Sequence, residues 1–329
     1  MQKIKVGVIA GAGYTGGELV RLLLNHDHAE ILFVQSRSQA GKPIHQVHLD
    51  LLGTTSLTFT AEPDLQNPNL DAIFMALPYG EAKEFLEKNK LPAKVRVIDL
   101  SHDFRLKSNC TLGDRKFIYG LPELNREAIK KATLIANPGC FATAIQLALL
   151  PLAREKKLGE VAVTGVTGST GAGQKLTETS QFSYRSNNIS AYKTLSHQHV
   201  FEIEESLQSL QGNELAKVSF IPWRGDFTRG IFVSAQVTSS LTKNQAIELY
   251  RSYYESHQFI SVTGDAINLK AVVNTNRALI EINQAGSKLA IHVVIDNLLK
   301  GASGQAVQNF NLMFGFAEDM GLKLKGVVF

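Results

Sequence analysis

A cysteine at the start of a helix and a closely spaced pair of histidines are the residues of this chain best suited to making and breaking bonds. Cys140 lies in Asn137-Pro138-Gly139-Cys140-Phe141-Ala142-Thr143, where a helix-breaking pair hands over to an apolar stripe. Phe141, Ala144, Ile145, Ala148, Leu149 and Leu152 recur at helical spacing, and Lys156, Lys157 and Gly159 close the C-terminal end. At a helix N-terminus the unpaired backbone N–H groups and the positive end of the macrodipole favour thiolate over thiol, which makes the sulfur a nucleophile. The competing reading of such a cysteine is a small buried hydrophobe. His197-Gln198-His199 reads as two imidazoles on one face of a strand. No neighbouring carboxylate or cysteine completes a spaced ligand set, so no metal is expected and one histidine is read as an acid/base.

The N-terminus explains what such a thiol would work with. Lys3–Ala10 is a short apolar strand that runs into Gly11-Ala12-Gly13-Tyr14-Thr15-Gly16 and then a helical Gly17–Leu24. In the G-x-G-x-x-G pattern, Gly11 allows the tight turn, Gly13 lets a pyrophosphate approach the backbone and Gly16 lets helix pack on strand. With strand before and helix after, the turn, Tyr14 and Thr15 included, reads as a dinucleotide site; the alternative is a structural βα turn. An NAD site places Asp or Glu at the end of the second strand. Here Ile31–Gln35 ends in Ser36-Arg37-Ser38, a guanidinium flanked by hydroxyls, which suits the 2′-phosphate of NADP; the alternative is a solvated loop cation.

Other segments carry weaker signals. Gly168–Lys175 resembles a P-loop, but its lysine comes one residue late and a nucleotide site already exists, so a nucleotide triphosphatase is rejected. Ser169 in that loop is a candidate substrate contact through phosphate. Arg105, Arg224 and Arg229 lie in loop-like stretches where a guanidinium either grips phosphate or carboxylate or makes a structural ion pair.

The elements that must position these residues fall into two patterns. Up to about residue 140 strands and helices alternate: Asp71–Leu77 and Val95–Leu100 read as buried parallel strands, and Pro78-Tyr79-Gly80 turns the first of them into a helix holding Ala82, Phe85 and Leu86. That is a doubly wound, Rossmann-type parallel sheet. From Val161 onward longer alternating strands, at 161–164, 217–221, 230–237, 277–282 and 288–295, predict a second α+β domain with a mixed, mostly antiparallel sheet. The chain has 329 residues, 44% of them apolar, enough for two sizeable cores. Its formal charge of +4 arises from 34 basic and 30 acidic residues without dense Lys/Arg runs, which argues against a nucleic-acid or membrane surface and suits small anions. No run of about 20 apolar residues spans a bilayer and no signal peptide is evident, so a cytoplasmic location is expected. Its 2 cysteines cannot form a disulfide framework, and a reducing compartment fits a free thiol.

Several segments together resemble the N-acetyl-γ-glutamyl-phosphate reductase family of arginine biosynthesis along the whole length. They are Gly11–Leu19, Asp99-Leu100-Ser101-His102-Asp103-Phe104-Arg105, Tyr119-Gly120-Leu121-Pro122-Glu123-Leu124-Asn125-Arg126, Asn137-Pro138-Gly139-Cys140 and Lys300-Gly301-Ala302-Ser303-Gly304-Gln305-Ala306-Val307-Gln308-Asn309. The glycine turn is shared with many dehydrogenases; the other segments are more specific. The resemblance implies an NADPH-dependent acyl-phosphate reductase in which Cys140 forms a thioester and His199 is the acid/base. It implies a cofactor site that includes Pro78 and Asn309, the latter on a last helix near 302–314, and substrate contacts from Arg105, Ser169 and Arg229. It also implies a homo-oligomer, dimer or tetramer. The expected division is 1–140 with 302–329 for NADP, and 141–301 for substrate and oligomerisation. Where the family more usually has His-Arg-His and a Pro-Glu-Ile run, this chain has His197-Gln198-His199-Val200-Phe201-Glu202-Ile203, a departure at the acyl pocket. Acetyl and succinyl substrates both stay open, as do a sister reductase for aspartyl or aminoadipyl phosphate and a non-catalytic NADP sensor.

Overall fold

The computed structural model describes residues 3–212 and 217–328. The chain divides into two compact units, Met1–Pro138 with Ala302–Lys323, and Gly139–Gly301 with Leu324–Phe329. The sequence reading carried the first domain to 329; instead the stretch after Lys323 groups with the second unit, where Val327 N–H donates to Val273 O at 3.2 Å.

In the first unit the elements run β1 (Ile4–Ile9), α1 (Tyr14–Leu24), β2 (Ala29–Gln35), β3 (Phe59–Thr60), β4 (Ala72–Met75), α2 (Glu81–Lys88) and β5 (Arg96–Asp99). A two-stranded ribbon, β6 (Thr111–Leu112) and β7 (Arg115–Lys116), is followed by β8 (Ile118–Tyr119), α3 (Pro122–Lys131) and β9 (Leu134–Ala136). Seven strands form one sheet in the order β3-β2-β1-β4-β5-β9-β8, and every pair is parallel. Val6, Val8, Ile9, Ala72, Ile73, Phe74 and Met75 are wholly buried, as a parallel sheet covered on both faces requires. The order reverses between β1 and β4, so the carboxyl ends of β1, β2 and β4 deliver Gly11–Gly16, Ser36-Arg37 and Pro78 to the edge where open α/β sheets bind ligands.

The second unit runs α4 (Cys140–Arg154), β10 (Val161–Thr167), α5 (Phe182–Arg185), β11 (Ser190–Ala191), α6 (His199–Gln211) and β12 (Val218–Arg224). It continues with β13 (Ile231–Thr238), α7 (Lys243–Tyr254), β14 (Ile260–Thr263), β15 (Ala278–Ala285) and β16 (Lys288–Ile295). The last helix, α8 (Ser303–Phe314), belongs to the first unit. The second unit's sheet, β11-β12-β10-β13-β16-β15-β14, is mixed: β10 pairs parallel with β12 and β14 with β15, and the remaining pairs are antiparallel. Alternation along β10 and β13 buries Val161, Val163, Ile231, Val233, Ala235 and Val237 while Ala162, Thr164 and Gln236 stay exposed, so one face packs on α4 and its neighbouring helices.

Two local departures from the periodicity have physical reasons. The first helix starts at Tyr14, before Gly16 and Gly17, because both glycines are used for close packing rather than for a turn. The His197–His199 segment is not a strand: His199 opens α6. Within α4, Pro151 lacks the N–H that Leu147 O would accept, and Tyr254 Oη donates to that carbonyl at 2.7 Å instead. Among the described residues no helix is long and apolar enough to cross a membrane.

Removing the Tyr254 hydroxyl strands a buried carbonyl, so Tyr254→Phe is expected to lower unfolding free energy by about 1–3 kcal/mol without altering the fold. Urea denaturation followed by circular dichroism measures it; a loss below about 0.5 kcal/mol means the carbonyl has found another donor.

Candidate active site

In the first unit the glycine turn is built by exclusion. A Cβ on Gly16 would lie 2.5 Å from Gly11 Cα, and one on Gly17 would lie 2.5 Å from the His48 ring. Gly13 differs: it is the N-cap of α1, at φ −77° and ψ 170°, and a Cβ there would meet nothing within 4 Å. The space over Gly13 is therefore open to a ligand, at a helix start with no acidic residue in its first turn. His48 Nε2 lies 2.8 Å from Gly11 O, and Ser303 Oγ donates to Thr15 O at 2.9 Å, so the turn is braced from both sides. Ala10 enters it at φ 57°, its N–H donating to Gln35 Oε1 at 3.0 Å. Tyr14 is half exposed at the mouth of this turn.

At the end of β2, Ser36 is buried with its N–H on Thr60 O, and Arg37 is exposed. Lys88 holds the Glu84 carboxyl below its usual range, with a smaller contribution from Arg37. No carboxylate replaces Ser36-Arg37-Ser38 at the strand end. Pro78 O accepts the Glu81 N–H where α2 begins, and Asp103 accepts from Gly80 N at 2.7 Å and Lys83 N at 3.0 Å, capping that helix from another loop. Asp99, wholly buried, is pushed up to about 6 by desolvation, against two hydrogen bonds from Ser101.

Arg105 is buried and donates through Nε to Asn137 O at 2.8 Å and through Nη2 to Leu100 O at 2.9 Å. Asn309, wholly buried, donates to Gly120 O at 2.8 Å and Asn137 Oδ1 at 3.0 Å, and its own Oδ1 has no protein partner. Both residues thus fix Asn137, in the run that leads to Cys140.

In the second unit Cys140 is the first residue of α4, partly exposed, behind an N-cap Gly139 at φ −72° and ψ 151°. A Cβ on Gly139 would overlap the His199 ring, and one on Gly301 would lie 2.8 Å from Cys140 Cβ. The imidazole is thereby seated on the backbone immediately before the thiol. Glu202, with its side chain wholly buried, accepts the Gly139 N–H at 3.2 Å and faces His199 Nε2 at 3.9 Å. His197 serves differently. Its Nδ1 accepts the His199 N–H at 3.2 Å, which caps α6, and its ring is enclosed by Phe141, Tyr192, Phe220 and His199. The two histidines therefore do not share one strand face, and among the described residues no group of three or more His, Cys, Asp or Glu side chains is arranged to hold a metal.

Tyr192 lies 5.8 Å ring to ring from His197 and beneath the Arg224 guanidinium at 4.8 Å. Burial first, then the charge at Cys140, pushes its phenol up, while Arg224 opposes. Ser169 N–H donates to Phe227 O at 2.8 Å in a half-buried turn. Arg229 holds Asp296 Oδ2 at 3.0 Å from both Nε and Nη2, so its charge is already matched. Sequence reasoning missed His48, Glu202 and Tyr192. Of these only Glu202 left a signal, as the glutamate of the run after the histidines.

Family models for the semialdehyde dehydrogenase NAD binding domain and dimerisation domain match residues 5–132 and 140–297. The N-acetyl-gamma-glutamyl-phosphate reductase of Bacteroides thetaiotaomicron is 51% identical over 327 residues, covering 99% of this chain and 100% of the relative. That of Christiangramia forsetii is 49% identical over the same coverage. Among solved structures, aspartate semialdehyde dehydrogenase II of Vibrio cholerae complexed with ASA is similar at a TM-score of 0.74, with 18% identity over 96% of this chain and 99% of that one. The aspartate semialdehyde dehydrogenase of Francisella tularensis reaches 0.69 at 17% identity over 94% and 100%. At such identities these structures speak for the fold alone.

The two glycines give opposite expectations. Gly13→Ala should keep the melting temperature within about 2 °C yet weaken dinucleotide binding about tenfold or more, because its methyl enters only ligand space. Gly16→Ala should destabilise the protein itself, because its methyl meets the Gly11 backbone. Thermal melts with and without NADPH separate the two, and equal behaviour of both variants would refute the open cradle.

Proposed function

The chain belongs to the N-acetyl-γ-glutamyl-phosphate reductase family of semialdehyde dehydrogenases, and from that membership we propose that it reduces an N-acyl-γ-glutamyl phosphate, N-acetyl in the relatives' name, to the 5-semialdehyde with release of phosphate, using NADPH, in arginine biosynthesis. It is an acyl-phosphate-reducing enzyme that uses a nicotinamide cofactor. The observation that carries the proposal is the seating of His199 on Gly139, directly before a cysteine that opens a helix.

The chemistry follows from those residues. The N-terminus of α4 favours the Cys140 thiolate, and His199 takes the proton as sulfur attacks the acyl carbon. Phosphate leaves and a thioester on Cys140 remains. A reduced nicotinamide, when bound, supplies the hydride. His199, charged at that stage, faces the oxygen that becomes negative and returns its proton to sulfur as the aldehyde departs. The backbone N–H groups of the first turn of α4 stabilise the same oxygen. Glu202 is a positioning residue: its buried carboxyl faces the imidazole at 3.9 Å and holds the Gly139 N–H beneath it.

For NADP over NAD the support is Arg37 between two serines, with no carboxylate to receive a ribose 2′-hydroxyl. Gly11, Gly13, Tyr14, Thr15, Gly16 and Pro78 complete the cofactor set by their places at the strand ends, and Asn309 joins it through its unpartnered oxygen. Arg105 and Ser169 remain proposed substrate contacts; Arg229 enters that role only by giving up Asp296. A homo-oligomer, dimer or tetramer, is supported by the dimerisation-domain match and by half-exposed Ile221, Trp223 and Phe232 on the uncovered sheet face. Two unbridged cysteines fit the cytoplasm.

Cys140→Ser is expected to abolish turnover while NADPH still binds, and substantial residual activity would refute the covalent route. His199→Asn should lower kcat on the order of 10²–10⁴-fold and slow alkylation of Cys140 by iodoacetamide at neutral pH. His197→Asn should chiefly lower the melting temperature, since that ring caps α6; comparable kinetic losses at both positions would contradict the assignment. Arg37→Asp should shift the NADPH/NADH ratio of kcat/KM toward NADH, and an unchanged ratio would remove Arg37 from the 2′-phosphate.

A further inference from the structure

Among the described residues of the second unit, Arg185 is a buried cation with no carboxylate partner. Arg185, at the end of α5, is 7% exposed, and its Nε and Nη1 have no hydrogen-bond partner. Its Nη2 reaches only neutral oxygens, Ser190 Oγ at 3.2 Å and Asn188 O at 3.4 Å, and its guanidinium lies 5.6 Å from the centre of the Tyr184 ring. Among the described residues no carboxylate lies within ion-pair distance of it. Arginine stays charged at any working pH, and an unmatched buried charge costs several kcal/mol. A fold that keeps one with two nitrogens vacant keeps it for an anion.

The position narrows the anion. Ser190, which takes Arg185 Nη2, pairs with Arg224 across the β11/β12 ladder. Arg224 lies over Tyr192, and Tyr192 feels the charge of Cys140. A run of contacts thus joins Arg185, Ser190, Arg224 and Tyr192, and Tyr192 packs on His197, which touches the His199 ring seated on Gly139. An N-acylglutamyl group held as a thioester on Cys140 has one carboxylate, on its α-carbon, and in this reading Arg224, over Tyr192, is the guanidinium that takes it. Arg185 then has nothing to bind if the acyl arm is acetyl. We propose that Arg185 recognises a second carboxylate at the far end of the N-acyl arm, so that the substrate class is an N-acylglutamyl phosphate whose acyl group itself ends in a carboxylate, as succinyl does. This rests on the reductase reading above and makes Arg185 a specificity residue for it.

The test runs the reaction in the oxidative direction, with phosphate and NADP⁺, on N-succinyl- and N-acetylglutamate 5-semialdehyde. The wild type should favour the succinyl compound by about 30-fold or more in kcat/KM, the range of a charge-assisted hydrogen bond made or left unmade. In Arg185→Gln that preference should fall by about the same factor, mainly through KM, and Arg185→Lys should retain part of it. N-succinylglutamate should raise the melting temperature of the wild type and not that of Arg185→Gln, a readout independent of turnover. An unchanged ratio in the variant, preference of the wild type for the acetyl compound, or an equal rise in the KM for phosphate with both substrates would each overturn the assignment, the last by making Arg185 a phosphate ligand. Turnover of the acetyl compound alone leaves the reductase reading standing and removes this inference; turnover of neither removes both.

Discussion

Because Gly139 carries no side chain, the His199 imidazole can occupy the space in which a Cβ would sit, and the rest of the second unit's chemistry is arranged around that contact. Any larger residue at 139 would push the ring off the backbone that precedes Cys140. The same glycine supplies the N–H that the buried Glu202 carboxylate accepts at 3.2 Å, so one residue fixes both His199 and Glu202. Gly301 repeats the device on the other side of the thiol, its missing Cβ leaving 2.8 Å to Cys140 Cβ. The Cys140 side chain is thus confined by backbone, which holds position more tightly than flexible side chains do.

The residues leading into Gly139 are fixed by a different set of bonds, within the first unit. Arg105 holds Asn137 O, Asn309 holds Asn137 Oδ1, and Asn137 Nδ2 reaches Ala302 O at 3.1 Å. The Asp-Phe-Arg, Asn-Pro-Gly-Cys and Gly-Gln-Ala-Val-Gln-Asn segments, far apart in the chain, meet at this asparagine. Their polar residues are buried, and each finds its hydrogen bonds on another segment, which is why none can be replaced singly without stranding a partner.

Much of this was readable from spacing. The strand, glycine turn and helix at 4–24, the second sheet's alternation and the helix at Cys140 all follow from periodicity, which reports directly on which face is buried. What spacing could not show were contacts between distant residues. His48 against Gly11 and Gly17 leaves no local pattern, and neither does Tyr254 at the carbonyl freed by Pro151. The histidine pair was misread because two imidazoles at i and i+2 suggest a strand face. In fact the first caps the helix that the second begins, a role that depends on the backbone turning helical at Gln198. Short strands such as β8, β9 and β11 escaped for want of length.

Arginine shows most plainly where sequence stops and structure begins. Arg105, Arg185, Arg224 and Arg229 are alike in type, and nothing in their neighbours ranks them. In the fold, Arg229 is spent on Asp296, Arg105 on two carbonyls, and Arg224 lies over the Tyr192 ring. A guanidinium cannot shed its charge to escape burial, as a lysine can, so each must find an anion or a ring of acceptors or else destabilise the protein. Arg229 is matched by a carboxylate and Arg105 by carbonyls, whereas Arg185 and Arg224 have no carboxylate partner among the described residues. In the role proposed for Arg185, selectivity would reject by omission, since a substrate without the second carboxylate would leave the cation buried and unpaired.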